Sequence, residues 1–371
     1  MKTRLPRQEF QDALTAISSL TSGRTPKPIQ ACGHLTAAND VLEVCATDGE
    51  AALRLQVPAL AIERPGEAVI KAEHLLGIVR ELNDVEIQLE ADDRQCTIRG
   101  AGSEFRIFVH NPADYPPIPT FGEEADLTAD GRLLRRMIAL TLYAAARETS
   151  AYAINGVLWD KRGSQLYMIA TDGRRLARAG GRLLKAPSAD FDVIVPTKAL
   201  TVFERVFTPP KDGEWPVQVR VTPNQVMLQA EGMLLASALV EGRFPEYERV
   251  IPKETDKLAT LDRTALHAAV RRAALLTTED SRAVRLAFQP DQLVITSHSP
   301  EQGEARVEVG MEYSGEPVDI GFNPVFLNDA LKVMPYERLS VELQESSRPG
   351  ILSGGDKDEF LYVVMPVSLS P

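Results

Sequence analysis

Apolar residues recur at helical spacing in six segments, 7–20, 71–82, 131–147, 197–207, 263–276 and 324–334. Between them the pattern changes to alternation, as in Val85-Glu86-Ile87-Gln88-Leu89, Val217-Gln218-Val219-Arg220-Val221, Met227-Leu228-Gln229-Ala230 and Ser340-Val341-Glu342-Leu343. A period near 3.6 predicts amphipathic helices, and a period of two predicts half-buried antiparallel strands. The predicted fold class is α+β, with helices packed on one face of antiparallel sheet.

The chain also repeats itself. Ala46-Thr47-Asp48-Gly49, after the strand-like Leu42-Glu43-Val44-Cys45, returns 124 positions later as Ala170-Thr171-Asp172-Gly173 after Leu166-Tyr167-Met168-Ile169. Val69-Ile70-Lys71-Ala72-Glu73-His74-Leu75 corresponds to Ile194-Val195-Pro196-Thr197-Lys198-Ala199-Leu200, and Ile320-Gly321-Phe322-Asn323-Pro324-Val325 gives a third version. The third copy has a strand at Leu293-Val294-Ile295, but His298 and Ser299 replace the Thr-Asp pair. A third of 371 residues is close to this offset, so the chain reads as three copies of one domain-sized unit. Thr120–Asp126 and Pro252–Lys257 are charged and non-periodic, which sets the expected domains at 1–122, 126–252 and 256–371.

Composition narrows the chemistry. With 44% hydrophobic and 25% charged residues, the chain is neither disordered nor membrane-spanning, and MKTRLPRQEF lacks a signal-peptide core. Cys32, Cys45 and Cys96 form no CxxC pair and suit a reducing cytoplasm. His34, His74, His110, His267 and His298 are scattered singly, so no metal is expected. No dinucleotide fingerprint, phosphate loop or nucleophile elbow occurs, and no cofactor is expected.

Net charge is −11, yet the helical segments together carry +7 and the remainder −18. Arg132, Arg135 and Arg136 share one face of 131–147, opposite Leu134, Met137, Ile138 and Thr141. Arg263, His267, Arg271 and Arg272 likewise oppose Leu266, Val270 and Ala273, and neither segment before residue 148 or 277 contains an acid. Basic helices on an acidic body offer a local surface for phosphate. Twelve helices from two chains, spaced ~9–10 Å apart, would surround an opening of ~25–28 Å, wide enough for duplex DNA.

The residues carrying the most specific motifs are Ala170-Thr171-Asp172-Gly173-Arg174-Arg175-Leu176-Ala177, Glu241-Gly242-Arg243-Phe244-Pro245-Glu246-Tyr247 with Val250-Ile251-Pro252, and Tyr362-Val363-Val364-Met365-Pro366. Together with Gly23-Arg24, Pro26 and Pro28-Ile29, they make the chain resemble the bacterial sliding clamp family, the β subunit of DNA polymerase III, along its whole length. The resemblance implies a non-enzymatic, cytoplasmic, head-to-tail homodimeric ring of six similar domains. The ring would encircle duplex DNA, be opened by a clamp loader, and tether the replicative DNA polymerase and other clamp-binding repair proteins.

It also implies site residues. A pocket for a short peptide rich in Gln, Leu and Phe would use Ile154, Thr171, Gly173, Arg174, Arg175, Leu176, Pro245, Val250, Val363, Met365 and Pro366. DNA contact would fall to Arg24, Arg80 and Lys198, with helix-face charge adding Arg135, Arg136, Arg271 and Arg272. The subunit interface would join Phe105 and Ile107 to Leu275 and Leu276, with Arg106, Glu301 and Glu304 as rim charges. The chain departs from the family at Ser347, at Ser368, in ending Ser370-Pro371, and at Glu73 and Glu148. Two other readings stay open from the residues: a protein-binding scaffold that never encircles DNA, and a two-lobed aspartic protease built on Asp48 and Asp172. The second conflicts with the order of the motif, in which Thr precedes rather than follows the acid.

Overall fold

The computed structural model describes residues 1–21, 27–100, 102–122, 124–148, 151–278 and 283–369. Among them one element order occurs three times, with one strand fewer between the helices of the second copy. The first copy runs β1 (Lys2–Pro6), α1 (Arg7–Thr21), β2 (Cys32–Ala38), β3 (Val41–Thr47), β4 (Ala51–Pro58), β5 (Ala61–Arg64), β6 (Gly66–Lys71), α2 (Ala72–Glu81), β7 (Glu86–Ala91), β8 (Gln95–Gly100) and β9 (Ser103–Phe108). The second runs β10 (Leu127–Asp130), α3 (Gly131–Thr141), β11 (Gly156–Arg162), β12 (Gln165–Thr171), β13 (Arg175–Arg182), β14 (Phe191–Pro196), α4 (Thr197–Val206), β15 (Pro216–Thr222), β16 (Gln225–Ala230) and β17 (Met233–Ala238). The third runs β18 (Lys257–Asp262), α5 (Arg263–Ala273), β19 (Val284–Gln289), β20 (Gln292–Ser299), β21 (Gly303–Gly310), β22 (Glu312–Ser314), β23 (Val318–Phe322), α6 (Pro324–Val333), β24 (Arg338–Leu343), β25 (Gly350–Ser353) and β26 (Phe360–Val364).

Two helices end earlier than their periodicity predicts. The α-helical part of 131–147 stops at Thr141, whose hydroxyl donates back to the carbonyl of Met137, and Leu142–Ala144 tightens into a 3-10 turn. Arg147 therefore lies outside the helix. The segment 263–276 is α-helical only to Ala273, and Ala274–Leu276 is again a 3-10 turn. A hydroxyl that bonds to its own helix competes with the ladder, and a 3-10 turn satisfies carbonyls the α-helix leaves open.

The chain forms two compact units. The first comprises Met1–Arg132, Leu184–Ser188 and Lys198–Leu239. It holds a five-stranded antiparallel sheet, β5-β1-β7-β8-β9, and an eight-stranded one, β10-β15-β16-β17-β4-β3-β2-β6. Its α1 buries Phe10, Leu14, Ile17 and Leu20 and packs against α2, which buries Leu75, Leu76 and Val79. The second unit comprises Leu133–Leu183, Ala189–Thr197 and Val240–Pro371. It holds a nine-stranded sheet, β14-β11-β12-β13-β26-β25-β24-β18-β22, and a four-stranded one, β21-β20-β19-β23. Here α5 packs against α6, burying Leu266 and Val270 on one and Leu327 and Leu331 on the other.

Strand pairing therefore crosses from copy to copy. The last strand of the second copy, β17, pairs antiparallel with β4 of the first, placing Ala236 opposite Ala52. The last strand of the third copy, β26, pairs in the same way with β13 of the second, placing Val363 opposite Leu176. The repeated Thr-Asp-Gly motif shapes the hairpin that leads into each receiving strand. The Thr47 hydroxyl donates to the Ala51 carbonyl at 2.8 Å, while Asp48 Oδ1 accepts from the amides of Glu50 and Ala51 at 2.9 and 2.8 Å. In the second copy Thr171 donates to Arg175 at 2.6 Å, and Asp172 Oδ1 accepts from the amides of Arg174 and Arg175 at 3.0 and 3.1 Å. Gly49 and Gly173 take φ of +97° and +84°, where a side chain would be strained. The acids are thus committed to the backbone of their own turns, as turn chemistry requires.

Asp172→Ala removes the oxygen that accepts from two backbone amides, and a partner of Arg175. It is expected to cost about 1–3 kcal/mol in urea unfolding. An unchanged unfolding midpoint would show that the motif does not hold the turn.

Candidate peptide-binding and nucleic-acid-binding sites

The residues expected to bind peptide lie in the second unit, around the seam between β13 and β26. Leu176 and Val363 are 2% and 1% exposed and belong to a cluster with Ile154, Leu158, Ile169 and Phe244, against which Ile251 packs. Their burial is already spent on folding, so they form the floor of the region. The apolar surface left for a ligand is Val250, 48% exposed, and Met365, 39% exposed, beside the half-buried Pro245 and Pro366. Val250 closes the single 3-10 turn Tyr247–Arg249, its amide donating to the Tyr247 carbonyl. The Met365 amide donates to the Arg174 carbonyl at 2.9 Å, which fixes the C-terminal strand end on the Thr171–Arg174 turn.

Arg174 is exposed, whereas Arg175 is a strut. Its Nε lies 2.9 Å from Asp172, its Nη1 lies 2.7 Å from Asp329, and its Nη2 donates to the Tyr143 carbonyl at 2.8 Å. The guanidinium also sits 4.6 Å from the centre of the Phe326 ring, a cation–π contact. Asp329 and Phe326 were not among the expected residues. They stand on α6, about 150 positions away in sequence, and no local pattern links them to Arg175. Ser347 and Ser368, the departures from the family, are both exposed.

The basic residues divide into two kinds. Arg80 ends α2, and Arg271 and Arg272 end α5; all three are exposed, and no ion pair involves them among the described residues. Cations in a last turn also complement the helix dipole. Lys198, in the first turn of α4, is ion-paired with Asp48. Burial opposes ionisation of Asp48, but amide hydrogen bonds from Ala51 and Glu50 and the Lys198 ammonium hold its carboxyl below the ordinary range. Arg136 bonds Glu359 and Tyr336, and Arg135 is half-buried on the same helix. Arg24 lies outside the described residues, while Glu73 is exposed and 3.9 Å from Lys71.

The local field on α5 is positive. The His267 imidazole is held below its ordinary pKa, first by burial and then by Arg271, Arg263 and Lys332. Protonating it would add a cation where three already stand.

Two of the strands that end the sheets are the equivalents of those that pair between copies. β9 ends the five-stranded sheet and β21 ends the four-stranded one. On β9, Phe105 is 37% exposed and Ile107 half-buried, and Phe108, which the sequence did not single out, is 88% exposed. Leu275 is 75% exposed and Leu276 half-buried in the 3-10 turn after α5. Within the chain the expected rim charges have near neighbours: Arg106 pairs with Glu104 at 2.5 Å and Glu304 with His298 at 3.1 Å.

Among the described residues no three His, Cys, Asp or Glu side chains converge as a metal site would require, and no helix is long and apolar enough to cross a membrane. Three family models match in order: the DNA polymerase III beta subunit N-terminal domain over residues 1–119, the central domain over 128–246 and the C-terminal domain over 248–368. The chain is 31% identical to the beta sliding clamp of Pseudomonas putida KT2440 over 98% of its own length and 99% of that protein's. It is also 31% identical to the Escherichia coli K12 beta sliding clamp, over the whole of both chains. Among solved structures, the Pseudomonas aeruginosa sliding clamp bound to griselimycin superposes over both full chains with a TM-score of 0.92 at 31% identity. The Bacillus subtilis clamp does so with a TM-score of 0.93 at 25% identity. The repeated fold, the three consecutive domain matches and the full-length relatives together establish that this chain belongs to the DNA polymerase III beta subunit family, the bacterial sliding clamps.

Proposed function

We propose that two copies of this chain join head to tail into a ring that encircles duplex DNA and serves as the processivity factor of a cytoplasmic replicative polymerase. Its three clamp domains are taken as 1–122, 126–252 and 256–371. The ring is opened by a clamp loader, and the peptide site between the second and third domains tethers the polymerase and clamp-binding repair proteins. The protein acts by enclosure and has no catalytic role.

The observation that carries this reading is the pattern of strand pairing. The final strand of one copy pairs with the fourth strand of the preceding copy at β17–β4 and β26–β13, and the remaining equivalents, β9 and β21, have no partner on their outer sides among the described residues. A sheet edge with unpaired donors and acceptors is a template for another chain, and a head-to-tail contact that closes gives a ring. Ala52 and Leu176 are equivalent positions, as are Ala236 and Val363, and they form the two existing pairs. Following the ladders of the first and third copies in the same way makes Arg106 and Ala305 the third pair, across two subunits. Phe105, Ile107, Leu275 and Leu276 then supply apolar area at that contact, which association buries.

On this reading Arg24, Arg80, Lys198, Arg135, Arg136, Arg271 and Arg272 touch phosphates without reading sequence. Such contacts are weak, with Kd on the order of 10⁻⁴–10⁻⁶ M, and permit sliding. The peptide occupies the surface over Leu176 and Val363, with Val250 and Met365 as its exposed apolar contacts and Ile154, Thr171, Gly173, Arg174, Arg175, Pro245 and Pro366 shaping the site.

The ring register is tested by the double variant Arg106→Cys with Ala305→Cys and a short bis-maleimide. Covalent dimers and closed rings are expected from the double variant, and neither single variant should give rings. A native-like dimer that fails to cross-link there refutes this register.

Loaded on nicked circular DNA, the protein is expected to stay bound, and to be lost when the circle is cut. Equal retention on circular and linear DNA would favour a scaffold that does not encircle.

For the peptide site, Met365→Asp is expected to weaken a Gln-, Leu- and Phe-rich peptide by about tenfold or more, given ~1.5–3 kcal/mol per buried apolar side chain. Its melting temperature should not change. Val363→Asp should instead destabilise the fold, because it places a charge in the core. Undiminished peptide affinity in a folded Met365→Asp protein would move the site elsewhere.

A further inference from the structure

Arg136 stands on the exposed side of α3, and its guanidinium is already engaged within the chain. Its Nη2 donates to the Glu359 carboxylate at 3.1 Å and to the Tyr336 hydroxyl at 3.0 Å, and the guanidinium carbon lies 5.9 Å from the centre of the Tyr336 ring. Both partners are fixed in place. The Gly180 amide donates to the Glu359 carbonyl at 3.0 Å, and the Tyr336 ring lies over Gly354 and beside Phe360, with ring centres 6.3 Å apart. A Cβ at Gly354 would sit 2.0 Å from the Tyr336 ring, and one at Gly180 would sit 2.2 Å from the Asp358 carbonyl. Only glycine at both positions lets the loop that carries Glu359 lie this close.

A carboxylate in that position makes the same kind of charge-assisted bond that a phosphate oxygen would make with the guanidinium. Lys198 is served similarly by Asp48, which the amides of its turn hold in place. Arg80, Arg271 and Arg272 have no such acid among the described residues.

We infer that Glu359 is a resident competitor for DNA phosphate at Arg136, so that α3 contributes a weak, rapidly exchanged contact while the α5 arginines carry the stronger ones. This rests on the DNA-encircling reading above. The effect is to limit friction: a phosphate reaching Arg136 must displace a tethered carboxylate, and the carboxylate returns as soon as the phosphate moves on. Removing the charge at Glu359 releases Arg136 as one more phosphate contact.

The test compares wild type, Glu359→Gln, Arg136→Ala, the double variant and Arg271→Ala, all as full-length chains. Each is titrated with a fluorescent duplex oligonucleotide from 50 to 200 mM salt. One additional phosphate contact steepens the dependence of log K on log salt by about 0.9, so Glu359→Gln should bind more tightly at 50 mM and lose roughly 3.5-fold more affinity across this range than wild type. Arg136→Ala should weaken binding in the wild-type background by less than Arg271→Ala does, and should abolish the gain in the Glu359→Gln background. A Glu359→Gln slope equal to wild type, with Arg271→Ala still weakening binding, overturns the inference and leaves the DNA reading intact. Unaltered binding in Arg271→Ala overturns the DNA reading and this inference with it. Melting temperatures and sedimentation confirm that each variant is folded and assembled as wild type.

Discussion

The constraint on which this architecture depends is the need of sheet-edge backbone for a partner. Each copy of the repeat ends in a strand that cannot remain bare, and each offers an edge of its own. Among the described residues β9, the last strand of the first copy, and β21, the fourth strand of the third, lack the partner that their equivalents have, because three copies laid in sequence have only two junctions. Assembly is thereby written into copy number and connectivity, and the side chains at the open edges have only to reinforce it.

Much of this was legible in the sequence because the informative features are local. The Thr-Asp-Gly turn recurs since its threonine, aspartate and glycine each satisfy a separate local requirement: a hydroxyl for a carbonyl, a carboxylate for two amides, and a positive φ. In the third copy His298 and Ser299 stand in place of the Thr-Asp pair, which is why its echo was faint. Helical periodicity located the six α-helices of the described residues but overran the ends of α3 and α5, where the periodic pattern continues after the ladder has tightened. The basic residues were visible as a face, with Leu134, Met137 and Ile138 buried behind them.

What the sequence could not disclose was pairing at long range. In sequence Arg175 reads as a residue of the expected peptide pocket and Arg136 as part of a basic helix face. In the fold one is a strut between Asp172 and Asp329, and the other is held by Glu359 and Tyr336. Asp329, Tyr336 and Glu359 lie roughly 150 to 220 residues downstream, and charge alone gives no means of choosing among 52 acids. The same limit applies to Leu176 and Val363, whose apolar character fits a binding surface as well as a core. Only the pairing of β13 with β26 shows that they meet.

That meeting has a consequence for inhibitors of such proteins. The floor beneath the proposed peptide site is also the weld between two copies of the repeat, so a residue there answers to two demands at once. A compound leaning mainly on Val250 or Met365 could be evaded by replacing a solvent-facing side chain at small structural cost. One that reached the Leu176–Val363 seam would confront the bacterium with a harsher choice, since resistance there would have to loosen the scaffold itself.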